Sequence, residues 1–154
     1  MTLNDLVAPS AVVPALKVNN KKQVLQELAA RAAELTGQNE RAILEILLQR
    51  EKLGSTAVGN GVAIPHGKLP KLGRLFGFFA RLERPVDYEA LDEQPVDLVF
   101  LLLAPEAAGA DHLKALARVA RVLRDPEVAR KLRESRDAEA IYAVLAMPPA
   151  SSAA

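Results

Sequence analysis

Val96-Asp97-Leu98-Val99-Phe100-Leu101-Leu102-Leu103 is the stretch on which the fold turns. Only Asp97 interrupts its apolar run. A strand with one face in water alternates apolar and polar residues, so a near-continuous run reads as a central strand covered on both faces. Pro105 ends it. Working outward, Leu75–Leu82 is a second strand. Val-rich Ala11–Val18 is a third, pushed toward a sheet edge by Pro14. Val62–Ile64 is long enough only for a strand fragment, and Leu3–Val7 reads as a short helical turn.

Helices stand before and after these strands. Asn20 is an N-cap with Gln23 as its capping-box partner, and Val24, Leu25, Leu28, Ala32 and Leu35 follow at helical spacing until Gly37 stops the helix. A second helix starts near Asn39, carries Ile43, Ile46, Leu47 and Arg50 on one face, and closes at Gly54. A third spans Ala110–Leu123, with Leu113, Leu116, Ala117, Ala120 and Leu123 on its inner side. Asp125-Pro126 opens a fourth through Glu134, with Pro at the favoured first position, and Asp137 caps a last one through Leu145. The pattern predicts an α/β single-domain sandwich, a mixed β-sheet flanked by helices on both faces. The domain is expected at residues 1–146, with a disordered tail at 147–154.

The 154 residues are half hydrophobic and a quarter charged, the mix of one globular domain. Twenty Lys and Arg against nineteen Asp and Glu argue against bulk electrostatic binding of nucleic acid. An aromatic content of 4% argues against base-stacking platforms. With no Cys, a disulfide scaffold, a thiolate zinc site and a cysteine nucleophile are impossible. No apolar run approaches the roughly 20 residues of a membrane span, so no direct membrane insertion is expected. The start of the chain lacks the basic-then-apolar pattern of a signal peptide, so a cytoplasmic protein is expected.

The chemistry concentrates in Gly54-Ser-Thr-Ala-Val-Gly-Asn-Gly-Val-Ala-Ile-Pro-His66-Gly-Lys68, where four of the eight glycines fall. Val62–Ile64 anchors the segment, Pro65 stiffens the chain before His66, and Gly67 removes bulk after it. An imidazole on a stiff base with a clear approach suits a histidine nucleophile. Arg50, at the end of the preceding helix, can offer a planar guanidinium to a phosphoryl group, and Ser55, Thr56 and Asn60 can offer donors. Taken alone, His66 reads equally well as a turn histidine, Arg50 reads first as a solvated helix-end charge, and Ser55 and Thr56 also fit plain turn residues. His112, beside Asp111, reads alone as a polar residue at a helix start. Metal binding by His66, His112 and Asp111 lacks a short ligand spacing, so no metal is expected.

The segment Gly54–Leu69 resembles the active-site signature of the enzyme IIA domains of the fructose/mannitol class of the phosphoenolpyruvate-dependent phosphotransferase system. Leu47-Leu-Gln-Arg-Glu-Lys-Leu53, Gln94-Pro-Val-Asp-Leu98 and His112-Leu-Lys-Ala-Leu116 extend the likeness over about Leu3–Leu145. Within that class the chain is most similar to the nitrogen-regulatory branch. The resemblance implies a phosphoryl relay with His66 as acceptor (a tele-phosphohistidine), Arg50 stabilising the phosphoryl group and His112 as the second site histidine. Ser55, Thr56 and Asn60 match the loop that would donate hydrogen bonds. It also implies a histidine phosphocarrier as donor, no cofactor, and regulatory targets such as potassium-transport or sensor-kinase systems. With no IIB or IIC segment following Leu145, a regulatory transferase component without independent turnover is expected. The alternative is a sugar-specific IIA subunit donating to a separate IIB protein. Lys68, Lys71 and Arg74 are candidates to meet an acidic partner surface.

Overall fold

A computed structural model describes residues 3–147. Of the tail expected at 147–154, only Met147 is among the described residues. These residues form a six-stranded mixed sheet and five α-helices. In chain order they are β1 (Val7–Leu16), α1 (Lys21–Thr36), α2 (Glu40–Lys52), β2 (Ala57–Gly59), β3 (Val62–Ala63), β4 (His66–Leu69), β5 (Phe76–Val86), β6 (Val96–Pro105), α3 (Ala110–Leu123), α4 (Pro126–Glu134) and α5 (Ala138–Ala146). A short 3₁₀ turn, Glu106–Ala108, joins β6 to α3.

The apolar run predicted to be central is central. β6 pairs antiparallel with β5 on one side and parallel with β3 and β4 on the other. Leu98 through Ala104 are fully buried, each large side chain contributing about 1.5–3 kcal/mol of hydrophobic stabilisation. β1 pairs only with β5, in parallel, so the strand carrying Pro9 and Pro14 lies at the sheet edge where missing N–H donors are tolerated.

The other edge of β6 positions the site. β3 runs along it from Val62 opposite Leu98, and β4 resumes from His66 opposite Leu102. The gap between them is Ile64-Pro65. Pro65 has no N–H to give, yet its carbonyl still accepts the Leu102 N–H at 3.0 Å. His66 is therefore the first residue of a strand and not part of an open loop. The strand was illegible because His-Gly-Lys-Leu has neither length nor β-branched residues.

Successive side chains on a strand face opposite ways. A Cβ on Gly67 would meet Cγ2 of Ile46 on α2, whereas His66 faces His112 on α3. Helix α2 packs against β4 and α1, while α3 and α4 pack on β6 and α5 on β1. The helices thus cover both faces. Gly67 serves the close approach of α2 to β4, a different role from the open approach to His66 expected of it.

Four of the five described helices begin where a cap residue predicts, and α3 follows Gly109 without a side-chain cap. Asn20, Asn39, Asp125 and Asp137 accept from Gln23, Ala42, Val128 and Ala140 N–H groups respectively. Gln23 closes back on the Asn19 N–H instead of on Asn20. Two faces differ from expectation. Leu35, near the end of α1, is 43% exposed. On α3 the buried residues are His112, Ala115, Val119 and Leu123, and Leu113 is 66% exposed. The helix is rotated by about one residue from the Leu113–Ala117 stripe, which tucks His112 inward.

Candidate functional site

His66 is half-buried, with its Nδ1 2.8 Å from the carbonyl oxygen of Ile64. A carbonyl can only accept, so Nδ1 carries the proton and the lone pair of the neutral ring resides on Nε2. Pro65, buried between these two residues, fixes the short chain that joins them. The ring is anchored on the backbone carbonyl two residues before it.

His112 lies with its ring centroid 5.7 Å from that of His66, the planes tilted by 53°. It is buried, and its Nε2 has no hydrogen-bond partner among the described residues. Burial lowers the His66 pKa from its ordinary value. The Ile64 hydrogen bond and Glu51 oppose that, and the Arg50 charge adds to it. Burial lowers the His112 pKa as well, with His66 and Lys68 acting in the same direction. Two neutral imidazoles thus face each other, one with a nucleophilic nitrogen and one with an uncommitted polar edge.

Arg50, in the last turn of α2, donates to the Gly54 carbonyl at 2.9 Å. Its charge reaches His66. His66, Arg50 and His112, drawn from β4, α2 and α3, are therefore brought together.

The three other sequence candidates stand differently. The Ser55 hydroxyl donates to the Tyr88 carbonyl at 2.8 Å. Thr56 is buried, and both its hydroxyl and its N–H donate to the Glu51 carboxylate. These side chains tie the loop down. Asn60 sits in the β2–β3 turn at φ +57°, its N–H on Asp92 and its carbonyl on Arg133. That turn lies against Asp97, five residues along β6 from the partner of His66, or about 16 Å at strand rise. Asn60 is not in the site, because the chain runs the length of β3 before reaching His66.

Sequence reasoning missed Glu51 and Tyr88. Glu51 hid in a charged helix end, Gln49-Arg50-Glu51-Lys52, where solvated side chains are the rule. Tyr88 comes from beyond β5, and no local pattern links it to residue 51.

Residues 5–147 match the family model described as phosphoenolpyruvate-dependent sugar phosphotransferase system, EIIA 2. The chain belongs to this EIIA 2 family. It is 76% identical over 153 residues to a nitrogen regulatory protein of Bradyrhizobium diazoefficiens, covering 99% of this chain and 100% of that one. A fructose-specific EIIA component of Haloferax volcanii is 33% identical over 145 residues, covering 94% and 93%. The crystal structure of nitrogen regulatory protein IIA-Ntr from Neisseria meningitidis superposes with a TM-score of 0.88 at 34% identity, covering 93% of this chain and 98% of that one. The EIIA 2 family and its nitrogen-regulatory branch agree with the resemblance read from the sequence. No described helix is long and apolar enough to cross a membrane.

Proposed function

We propose that this EIIA 2 chain is a phosphohistidine carrier that takes a phosphoryl group on Nε2 of His66 and signals through its phosphorylation state. The observation that carries the reading is the Nδ1–H to Ile64 carbonyl bond, which leaves Nε2 as the free nucleophile. The donor is a histidine phosphocarrier bearing its own phosphohistidine. The Nε2 lone pair attacks phosphorus in line, the P–N bond to the donor breaks, and its electron pair returns to the donor ring. The His66 ring becomes cationic as the new bond forms, and the Ile64 carbonyl stabilises the proton retained on Nδ1. Arg50 leaves the Gly54 carbonyl, or shares its second edge, to neutralise the phosphoryl oxygens. His112, its ring 5.7 Å from that of His66, stands beside the acceptor as the second histidine of the site.

Similarity to nitrogen regulatory proteins supports a regulatory output, in which target proteins distinguish the two states of His66. Likeness to a fructose-specific EIIA component supports a second reading, donation to a separate IIB protein. Incubating the phosphorylated protein with sugar-transport IIB proteins separates the two. A carrier used for signalling keeps its phosphoryl group in their presence, whereas a sugar-specific subunit gives it up.

A further inference from the structure

Glu51 takes no part in that relay, yet its side chain is only 6% exposed. A buried carboxylate is costly unless it is well satisfied. Here both oxygens are satisfied. Oε1 accepts the Thr56 N–H at 3.0 Å and pairs with Lys21 Nζ at 3.1 Å. Oε2 accepts the Thr56 hydroxyl, and the Tyr88 hydroxyl at 3.1 Å. Lys21 lies 4.8 Å over the Tyr88 ring and is tied to Glu89 as well. Burial, and then the Glu51 charge, hold the Tyr88 phenol far above its ordinary pKa, so it stays a donor. Lys21 and Tyr88, distant in sequence, and the nearby Thr56 thus converge on one carboxylate.

The consequence runs toward His66 through the backbone. Thr56, fixed by Glu51, accepts the Ile64 N–H at its carbonyl, 3.0 Å away. Ile64 in turn accepts the His66 Nδ1–H at 2.8 Å. Every link in this chain is a hydrogen bond of ordinary length or shorter, and the segment between is pinned by buried Val62, Ala63 and Ile64. Resting on the phosphoacceptor reading of His66, we propose that Glu51 is a positioning residue: by clamping Thr56 it fixes the Ile64 carbonyl that sets the tautomer and orientation of the His66 ring. The neighbouring Arg50 grips the same loop at Gly54, so residues 50 and 51 together set the approach to the site.

Two substitutions separate position from charge. Glu51→Asp keeps the charge and draws the oxygens back by one methylene. Glu51→Gln keeps the reach and removes the charge. The tautomer of each neutral ring is read from long-range proton–nitrogen correlation spectra of ¹⁵N-labelled protein above the titration of both histidines, with His66→Ala assigning the signals. Wild-type His66 is expected in the Nδ1–H form. Glu51→Asp should show a mixture with the Nε2–H form and take up phosphoryl about ten-fold or more slowly, since small misplacements of a reacting group cost that much. Glu51→Gln should restore the Nδ1–H form and most of the rate, while His66 titrates lower because the charge that raised it is gone. Thermal melts check folding. If Glu51→Asp does not fold, Tyr88→Phe and Thr56→Val, each removing one donor to the same carboxylate, should shift the tautomer in the same direction by less. A folded Glu51→Asp with the wild-type tautomer or the wild-type rate overturns the proposal. So does a Glu51→Gln as disturbed in tautomer as Glu51→Asp. If the wild-type protein takes up no phosphoryl group, the carrier reading fails, and the tautomers alone decide whether Glu51 sets the ring.

Discussion

The His66 and His112 rings face each other at 5.7 Å, and burial holds both below the ordinary imidazole pKa. Protonating both would set two cations side by side, next to Arg50 and Lys68. Phosphoryl uptake should therefore persist below pH 6.5 and fall only when His66 itself is protonated. Uptake rates across a pH series, set against the NMR titration of the two rings, check this. A midpoint above 6.5 would contradict it.

The same depressed values have a stability consequence. The unfolded chain binds protons on these histidines at a higher pH than the folded chain does. Their stabilising contribution is thus complete above about pH 6.5 and is lost as pH falls from there through the folded values. His112→Gln should flatten that acid slope in denaturant titrations performed at successive pH values. An unchanged slope would mean that His112 titrates alike in both states.

Arg50→Ala should slow phosphoryl uptake by about 10²–10³-fold, the usual cost of removing one donor aimed at developing charge. Arg50→Lys should recover only part of it, because an ammonium cannot hold Gly54 and a phosphoryl oxygen with one planar fork. Single-turnover transfer from a phosphorylated donor measures both.

Gly67→Ala should destabilise the protein by about 1–3 kcal/mol, because the added methyl would stand 2.3 Å from Cγ2 of Ile46. Ile46 is β-branched and cannot swing clear without leaving its rotamer. Combined with Ile46→Ala, the two losses should not add, since the second substitution removes the clash of the first. Chemical denaturation of the two single variants and the double variant gives the coupling.

Asn60→Gly should leave phosphoryl uptake unchanged, because Asn60 serves the β2–β3 turn and glycine accepts its φ of +57°. Thr56→Val should instead cost about 1–3 kcal/mol by taking a donor from the buried Glu51 carboxylate. Equilibrium unfolding and uptake assays on both variants distinguish a turn residue from a clamp residue.

The parts of this molecule legible in sequence are those decided by local chemistry. The apolar run of β6, the four cap residues and Pro126 at a helix start each carry their own signal. The inner face of α3 did not. An Ala-rich helix offers two faces about 100° apart with similar apolar content, and contact with β6 and α4 chose the one bearing His112 over the one bearing Leu113. β4 is a strand only because β6 offers it an edge, which no window of four residues reveals. The same holds for the site. The motif around His66 was visible through resemblance, but the roles of Ser55, Thr56 and Asn60 depend on Tyr88, Glu51 and Arg133, at separations of 33, 5 and 73 residues.

The most direct test of the carrier is the intact mass of the protein after incubation with phosphoenolpyruvate, the first enzyme of the phosphotransferase system and its histidine phosphocarrier. Wild-type protein should gain one phosphoryl group, about 80 Da, and lose it again in acid. The His66→Ala variant should fold and gain nothing. A gain that survives in His66→Ala, or no gain by the wild-type protein from competent donors, would contradict the account.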